Sequence, residues 1–174
     1  MRKILVGRDR RTKYLFSHLV KHKGLEDERI VDKVVRSISE MGNTRMVLKT
    51  DGEPAIVQVQ EAVIGKRQHP TVPEKPPAYD PQANGEAERA VQEVKAQLRA
   101  VKLGLEARIK KEVKGNHEVL EWMIPHAANT NNRFLVGAGG RTAHYRVHLK
   151  NIGGKMFEFG EQVLAKPKRK HSAS

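Results

Sequence analysis

The chain has 174 residues, and 33 lysines and arginines against 20 aspartates and glutamates give it a formal charge of +13. It contains no cysteine, which excludes disulfides, thiolate zinc sites and cysteine nucleophiles. No apolar run approaches the roughly 20 residues that a membrane-spanning helix needs. We therefore expect a soluble protein without a membrane partner, in a reducing intracellular location, either nuclear or cytoplasmic.

The charges are unevenly distributed along the sequence. Residues 1–24 carry a net charge of +7, and residues 25–88 reverse the sign to −4. Residues 89–114 and residues 115–174 each contribute +5. Two separated basic segments and a basic run near the end favour a polyanionic partner, and nucleic acid is the best candidate. The run from Lys166 to Lys170 fits either a phosphate-binding tail or a nuclear address.

The predicted elements, in chain order, begin with two short strands and then alternate between helices and strands. Their approximate bounds are strands at 4–6 and 14–20, a helix with apolar positions between 25 and 41, a strand at 46–48, a helix at 54–65, an edge strand within the proline-rich 70–81, a long helix at 85–114, a helix at 118–129 and a strand at 156–165. Asp27 is a candidate N-cap for the first helix, and Gly42 a candidate stop. This order predicts an α/β layer fold.

The long helix carries two parallel rows of side chains. Its apolar row steps by three and four residues and comprises Val91, Val94, Leu98, Val101 and Leu105. The neighbouring polar row comprises Glu88, Gln92, Lys95, Arg99 and Lys102. One acidic residue therefore heads a basic row, which suits a metal-bound phosphodiester.

Two carboxylates stand at positions that rigid elements would hold. Asp51 ends an apolar strand just before Gly52, and Glu88 lies in the first turn of the long helix. Two adjacent carboxylates bind Mg²⁺ through oxygen, and a third would allow two metal ions to act in phosphoryl transfer. A structural interpretation stays open, in which Asp51 caps the helix that begins at Pro54 and Glu88 favours a helix N-terminus.

The sequence around these acids resembles that of retroviral and retrotransposon integrases. Residues 79–89 read Tyr-Asp-Pro-Gln-Ala-Asn-Gly-Glu-Ala-Glu-Arg, similar to the family's Tyr-x-Pro-Gln-x-x-Gly loop and the helix that bears its last catalytic acid. The match places that acid at Glu88, not at Glu86. Residues 48–52, Leu-Lys-Thr-Asp-Gly, look like the strand that ends in the second catalytic acid. The 36 residues between Asp51 and Glu88 fit the family's spacing.

Two further segments extend the resemblance. Residues 7–14 are similar to the second strand and turn of long-terminal-repeat retrotransposon integrases, and residues 159–164 resemble the beginning of the small barrel that often follows the core. The resemblance implies a catalytic core over residues 1–150, partial at its N-terminus. It implies that residues 151–174 begin a small C-terminal barrel-like region with a basic tail.

The resemblance implies a ribonuclease-H-like mixed sheet flanked by helices and lacking its first strand, which bears the first catalytic aspartate in the family. Asp9 matches the turn after the second strand and is expected to order that turn beside an arginine. Further site residues follow by position. Asp51 and Glu88 would be catalytic ligands of Mg²⁺ or Mn²⁺, Lys95 and Arg99 would bind DNA phosphates, and Tyr79 and Asn84 would lie on a mobile loop beside the DNA end.

The resemblance therefore implies DNA integration by the core of a retrotransposon polyprotein, through metal-dependent 3′-end processing and strand transfer. Its partners would be the element's DNA ends, target DNA and further copies of itself, with no small-molecule substrate. Without a first aspartate, the chain alone is expected to show weak or no strand transfer. The alternatives are a non-catalytic nucleic-acid-binding module derived from an integrase and a structural basic protein such as a ribosomal component.

Three other patterns are given structural interpretations. His144 and His148 are four residues apart but lack the glutamate of the metalloprotease motif, so we expect surface or DNA-facing histidines. The glycine cluster over residues 137–140 lacks the lysine of a phosphate-binding loop and is interpreted as a linker. Trp122 is expected in the core together with Met123 and Ile124.

Overall fold

The computed structural model describes residues 3–20, 24–74, 81–137, 139–153 and 157–164, without the side chains of residues 28 and 81–84. Its elements, in chain order, are β1 (Lys3–Arg8), β2 (Leu15–Val20), α1 (Glu28–Glu40), β3 (Met46–Lys49), α2 (Pro54–Lys66), β4 (Thr71–Glu74), α3 (Pro81–Ile109), α4 (Leu120–Phe134) and α5 (Ala143–His148). The predicted order of strands and helices as far as α3 is confirmed, and the fold is mixed α/β.

The first two strands form an antiparallel hairpin, in which Lys3 pairs with Val20 and Arg8 with Leu15. Its turn is organised by Asp9, whose carboxylate accepts hydrogen bonds from the backbone N–H of Thr12, at 2.9 Å, and from the Thr12 hydroxyl. The Asp9 N–H in turn donates to the carbonyl of Tyr14 at 2.9 Å. Asp9 therefore orders the turn as expected, although its partner is Thr12 rather than an arginine.

The second pair of strands is parallel, with Met46 of β3 opposite Thr71 of β4, and α2 forms the crossover between them. Within the described residues, β1 and β2 make one two-stranded sheet and β3 and β4 make another. The strand predicted at 46–48 exists, and its apolar residues are not all buried, because Val47 is 55% exposed.

Three clusters of buried side chains hold these elements together. The largest lies between α1, α2 and the sheets and contains Ile30, Val31, Val34, Ile38, Val59 and Val63. A second cluster joins β2, α3 and α4 through Leu15, Ala90, Val94 and Ala128. A third joins α3 and α4 through Leu105, Val113 and Met123. The long helix α3 thus contributes four of the five residues of its predicted apolar row, Val94, Leu98, Val101 and Leu105, to two clusters.

Helix α4 differs from the expectation at Trp122, whose side chain is 75% exposed, whereas Met123 and Ile124 are buried. Three consecutive helical residues cover about 200° of the helix circumference, so a single buried face does not accommodate all of them. The assignment of Trp122 to the core is therefore wrong.

The strand predicted at 156–165 is not formed in its described part, because residues 157–164 contain a turn and no strand. Phe159 instead packs against the cluster of Leu105 and Met123. The guanidinium of Arg108 donates to the Phe159 carbonyl at 2.8 Å. An alternating apolar pattern forms a strand only where another strand offers its edge, and this segment lies on a helix instead. The division into a core over residues 1–150 and a barrel-like region stays a prediction.

None of the helices in the described part of the chain is both long enough and apolar enough to cross a membrane.

Candidate active site

Asp51 lies just beyond the end of β3, in the segment that leads into α2, and its side chain is exposed. Its Oδ1 accepts a hydrogen bond from the backbone N–H of Glu53 at 3.2 Å, and Glu53 is the N-cap of α2. The structural interpretation thus holds in part, since Asp51 organises the chain before the helix. A carboxylate has two oxygens with about four lone-pair positions, so this one bond leaves capacity for a further ligand.

Glu88 lies in the third turn of α3 and is exposed, whereas its neighbour Glu86 is held by the β1–β2 turn. Glu86 forms ion pairs with Lys13 and, at 3.3 Å, with Arg10. The hydrogen bond from Lys13 lowers the pKa of Glu86, although its partial burial acts in the opposite direction. Glu88, in contrast, is exposed to solvent and takes part in none of the described ion pairs. Its role as a metal ligand stays a prediction.

A cavity of about 290 Å³ lies between the two sheets. It is lined by five consecutive residues of β1, Lys3 to Gly7. It is also lined by the four consecutive residues Leu48 to Asp51, which end β3 and follow it. Successive side chains of a strand point to opposite faces, so a cavity that touches every residue of a strand runs along its edge. The cavity therefore separates the edges of β1 and β3 that carry no partner strand in the described residues.

The same cavity is lined by one predicted catalytic residue and by the helix that carries the other. Asp51 lines it directly. On α3 it is lined by Val91, which lies three residues beyond Glu88 and hence about one helical turn away. The end of β3 and the segment of α3 that carries Glu88 thus border one cavity.

Two buried oxygens beside this cavity have no hydrogen-bond partner, namely Oγ1 of Thr50 and Oε1 of Gln60. The amide nitrogen of Gln60 is used, since it donates to the Leu48 carbonyl at 2.5 Å. Buried acceptors without a partner are costly, so their grouping beside two strand edges marks a place that suits a hydrogen-bond donor. The sequence analysis missed both residues. Gln60 was easier to recognise from the sequence than Thr50, because it is a polar residue directly after Val59 on the apolar face of α2.

The described residues contain no group of three histidine, aspartate or glutamate side chains that could hold a metal ion. Asp51 and Glu88 supply hard oxygen donors, which suit Mg²⁺ or Mn²⁺, but they make up only part of a ligand set. The rings of His144 and His148 are 4.4 Å apart between centroids, and burial, followed by the charge of His148, lowers the pKa of His144. No third ligand joins this pair among the described residues.

The basic row is found on the surface of α3, where Lys95 and Arg99 are exposed on the same side as Glu88. Lys102 is half-buried and forms an ion pair with Glu106 at 3.1 Å. Lys95 and Arg99 are therefore accessible to an anionic ligand. The charge of Lys102 is neutralised by Glu106.

The loop predicted to hold Tyr79 and Asn84 falls only partly within the described residues. Tyr79 lies outside the described residues. Asn84 lies inside α3, because the helix begins at Pro81 rather than at Gly85. Proline suits the first helical position, where its fixed φ matches the helix and its missing N–H is not needed. The placement of Asn84 on a loop is therefore wrong, and its contact with DNA stays a prediction.

The fold described above is similar to that of known structures. The chain is similar to a chain in the cryo-EM structure of the simian T-cell lymphotropic virus intasome in complex with the PP2A regulatory subunit B56 gamma, with a TM-score of 0.62 and 15% sequence identity. That match covers 99% of this chain and 54% of the other, so this chain spans about half the length of its relative.

A second similar structure is the catalytic core domain of BIV integrase, with a TM-score of 0.55 and 18% identity, covering 84% of this chain and 85% of that domain. No protein-family model and no curated protein matches the sequence. The mixed α/β fold described above is thus similar to that of retroviral integrase catalytic core domains.

Proposed function

We propose that this chain is the core of a DNA-integrating enzyme from a retrotransposon polyprotein, with Asp51 and Glu88 as two of its metal ligands. The observation that carries the proposal is one cavity, which is lined by Asp51 and by Val91, a residue of α3 about one turn from Glu88. It supports the proposal because it lies within a fold similar to that of retroviral integrase cores.

The proposed chemistry divides between the carboxylates and the basic row. A bound Mg²⁺ or Mn²⁺ would supply Lewis-acid activation of the water or 3′ hydroxyl that attacks a phosphodiester. Asp51 and Glu88 would hold that ion. The exposed Lys95 and Arg99 would bind DNA phosphates further along the same side of α3 and so position the strand.

The proposal includes a sheet that lacks one strand among the described residues. The edges of β1 and β3 flank one cavity, and the unpaired oxygens of Thr50 and Gln60 lie beside it. An extended segment in this cavity would pair with both edges and join the two sheets into one mixed sheet. A carboxylate on that segment would complete the ligand set, which is why we expect the chain alone to show weak or no strand transfer.

The test is a strand-transfer assay with short DNA duplexes and a plasmid target in Mg²⁺ or Mn²⁺. It compares the chain with an extended version that carries an upstream aspartate-bearing strand. We expect joining by the extended protein, abolished by Asp51→Asn and by Glu88→Gln. The control Glu61→Gln removes an exposed acid from α2 and should leave joining unchanged. Metal-dependent joining that survives Asp51→Asn would overturn the assignment.

Self-association is part of the same proposal, and analytical ultracentrifugation with and without DNA tests it. A multimer that forms on DNA would support the proposal, whereas a monomer on DNA would count against it.

A second candidate function is a non-catalytic nucleic-acid-binding module derived from an integrase. It is favoured by the net charge of +13. It is also favoured because no three possible metal ligands lie together among the described residues. In that case DNA binding would be independent of divalent metal and unchanged by Asp51→Asn and Glu88→Gln, while no form of the protein would join DNA.

A further inference from the structure

A second cavity, of about 700 Å³, lies on another flank of α3. Its walls come from the β1–β2 hairpin, the N-terminal half of α3, the end of α4 and the segment that leads into α5. Asp51 and Val91 do not line it. The buried residues Ala90 and Val94 form part of the core on the face of α3 between the two cavities. The second cavity is therefore separate from the candidate active site.

Cations predominate in the lining of this cavity. Its basic residues are Arg8, Lys13, Arg89, Arg141 and Arg146, and its acidic residues are Glu86 and Glu93. Both acids are already engaged, because Glu93 forms an ion pair with Arg8, and Glu86 forms ion pairs with Lys13 and Arg10. The lining thus carries three formal positive charges in excess, and the described ion pairs of its two carboxylates do not involve Arg89 or Arg141.

Several of these cations have N–H groups that the described ion pairs and hydrogen bonds do not use. Arg89 is exposed on α3 and has no ion pair within the described part of the chain. Arg141 is also exposed, and its guanidinium lies over the ring of Tyr145 at 5.0 Å, which helps to fix its orientation. The Nε of Arg8 is buried and without a hydrogen-bond partner. A buried cationic donor without an acceptor is costly, so an anion at this place would remove an existing penalty.

The glycine cluster that the sequence analysis interpreted as a linker forms one rim of the cavity. Val136 and Thr142 form an antiparallel bridge, and the N–H of Gly137 donates to the Arg141 carbonyl at 3.2 Å. A Cβ at Gly137 would lie 3.0 Å from Nη2 of Arg146. The glycine therefore leaves room for that guanidinium. Gly137 and Arg141 thus lie close together at this rim, and Arg141 and Arg146 both line the cavity.

We infer that this cavity binds a phosphate group, either from a nucleic-acid backbone or from a free polyphosphate. Guanidinium groups bind phosphate oxygens through paired hydrogen bonds, and the surplus donors here belong to arginines. A cavity of this volume accepts a phosphate with the groups attached to it. The identification of the ligand as DNA rests on the proposed function, whereas the capacity for phosphate rests on the geometry of the cavity.

The test measures the binding of tripolyphosphate by calorimetry and of a short labelled DNA duplex by fluorescence anisotropy. It compares the native chain with Arg89→Gln and Arg141→Gln. The matched control is Arg36→Gln, which removes the same charge from an exposed position on α1, a helix that does not line the cavity. Both test positions are exposed, so their variants are expected to fold, and circular dichroism verifies this.

Each cavity variant should weaken tripolyphosphate binding about tenfold, while Arg36→Gln should have little effect. If the phosphate comes from DNA, each cavity variant should also lower the salt dependence of duplex binding by about one unit of slope. Weaker tripolyphosphate binding with unchanged duplex binding would support a site for free polyphosphate. Unchanged tripolyphosphate binding in both cavity variants, or an equal loss in Arg36→Gln, would overturn the inference.

These outcomes are distinguishable from a failure of the proposed function. That function is judged by joining activity and by Asp51→Asn and Glu88→Gln, and neither residue lines this cavity. If the extended protein lacks joining activity while the chain loses tripolyphosphate affinity in Arg89→Gln and Arg141→Gln, the catalytic proposal is refuted and the phosphate site stands.

Discussion

The side chain of Asn132 forms two hydrogen bonds with the backbone of Leu15. The Leu15 N–H donates to Oδ1 of Asn132 at 2.8 Å, and Nδ2 of Asn132 donates to the Leu15 carbonyl at 2.7 Å. Asn132 is only 2% exposed. Its amide therefore takes the place of a neighbouring strand at the start of β2 and attaches α4 to the hairpin across 117 residues of sequence.

Replacing Asn132 by leucine should lower the free energy of unfolding by about 2 to 4 kcal/mol, because a buried N–H and a buried carbonyl of Leu15 would both lose their partner. Urea unfolding followed by circular dichroism measures the change. The control is Asn129→Ala on the same helix, where the side chain only accepts from Arg133 at 3.1 Å, and it should cost about 0.5 kcal/mol. Equal losses in the two variants would contradict this role for Asn132.

Gly7 of β1 lies opposite Phe16 of β2, and a Cβ added at Gly7 would overlap the Phe16 ring. The ring thus covers the backbone of the opposite strand, and only glycine leaves room for it. Gly7→Ala should destabilise the protein by about 1 to 3 kcal/mol, because the ring must move out of the core. Thermal unfolding measures this loss.

A double variant separates this clash from a backbone effect. Gly7→Ala combined with Phe16→Leu should be less unstable than the sum of the two single variants, since the smaller side chain removes the overlap. Strict additivity of the two changes would show that the Phe16 ring is not the cause.

The sequence predicted the helices best where an apolar period coincided with clear end signals. Asp27 is the N-cap of α1 and Gly42, with φ of +72°, follows its end, so both positions marked the boundaries correctly. The segment around Phe157 and Phe159 was predicted wrongly, because alternation indicates a strand only if a partner edge exists. That condition depends on distant residues and cannot be deduced from local pattern.

The candidate site divides in the same way. Asp51 and Glu88 were recognisable because each stands in a short motif at the boundary of an element. The unpaired oxygens of Thr50 and Gln60 and the surplus charge of Arg141 were not recognisable, because each depends on what the folded chain places beside it. Sequence pattern thus predicted the acids, whereas only the fold gave the two cavities and the residues that line them.

His18 makes the stability of the protein depend on pH. Its ring nitrogen Nε2 lies 3.0 Å from the Ser37 hydroxyl, and burial, reinforced by the charge of Lys33, lowers its pKa from 6.5 to about 4. The unfolded chain therefore binds a proton at His18 at a higher pH than the folded chain does. Stability should be complete above pH 6.5 and decrease as the pH falls from 6.5 towards 4.

We expect His18 to contribute a loss of about 2 kcal/mol over this range, which is less than the full shift would give because the ring is partly exposed to solvent. Urea unfolding at several pH values compares the native protein with His18→Gln, which retains a hydrogen-bonding group. The variant should show a shallower decrease. Identical pH profiles would mean that other groups, such as His126 and His144, whose pKa values burial also lowers, account for the decrease.

Arg108 attaches the segment 157–164 to α3. Besides its bond to the Phe159 carbonyl, it forms an ion pair with Glu158, and the Phe159 ring lies 5.0 Å from that of His126. Because the ion pair is largely exposed, Arg108→Ala should change global stability by less than about 1 kcal/mol. The segment itself should open more often, since it would lose both its hydrogen bond and its ion pair to α3 and keep only its apolar packing, mainly that of Phe159.

Hydrogen exchange measured on peptides from this segment tests the expectation. The Glu161 N–H, which donates to the Glu158 carbonyl at 2.9 Å, should lose protection in Arg108→Ala. It should retain protection in the control Lys111→Ala, which removes an exposed cation just after α3. Equal protection in the two variants would mean that the packing of Phe159 alone holds the segment, in which case Phe159→Ala should release it without any change at Arg108.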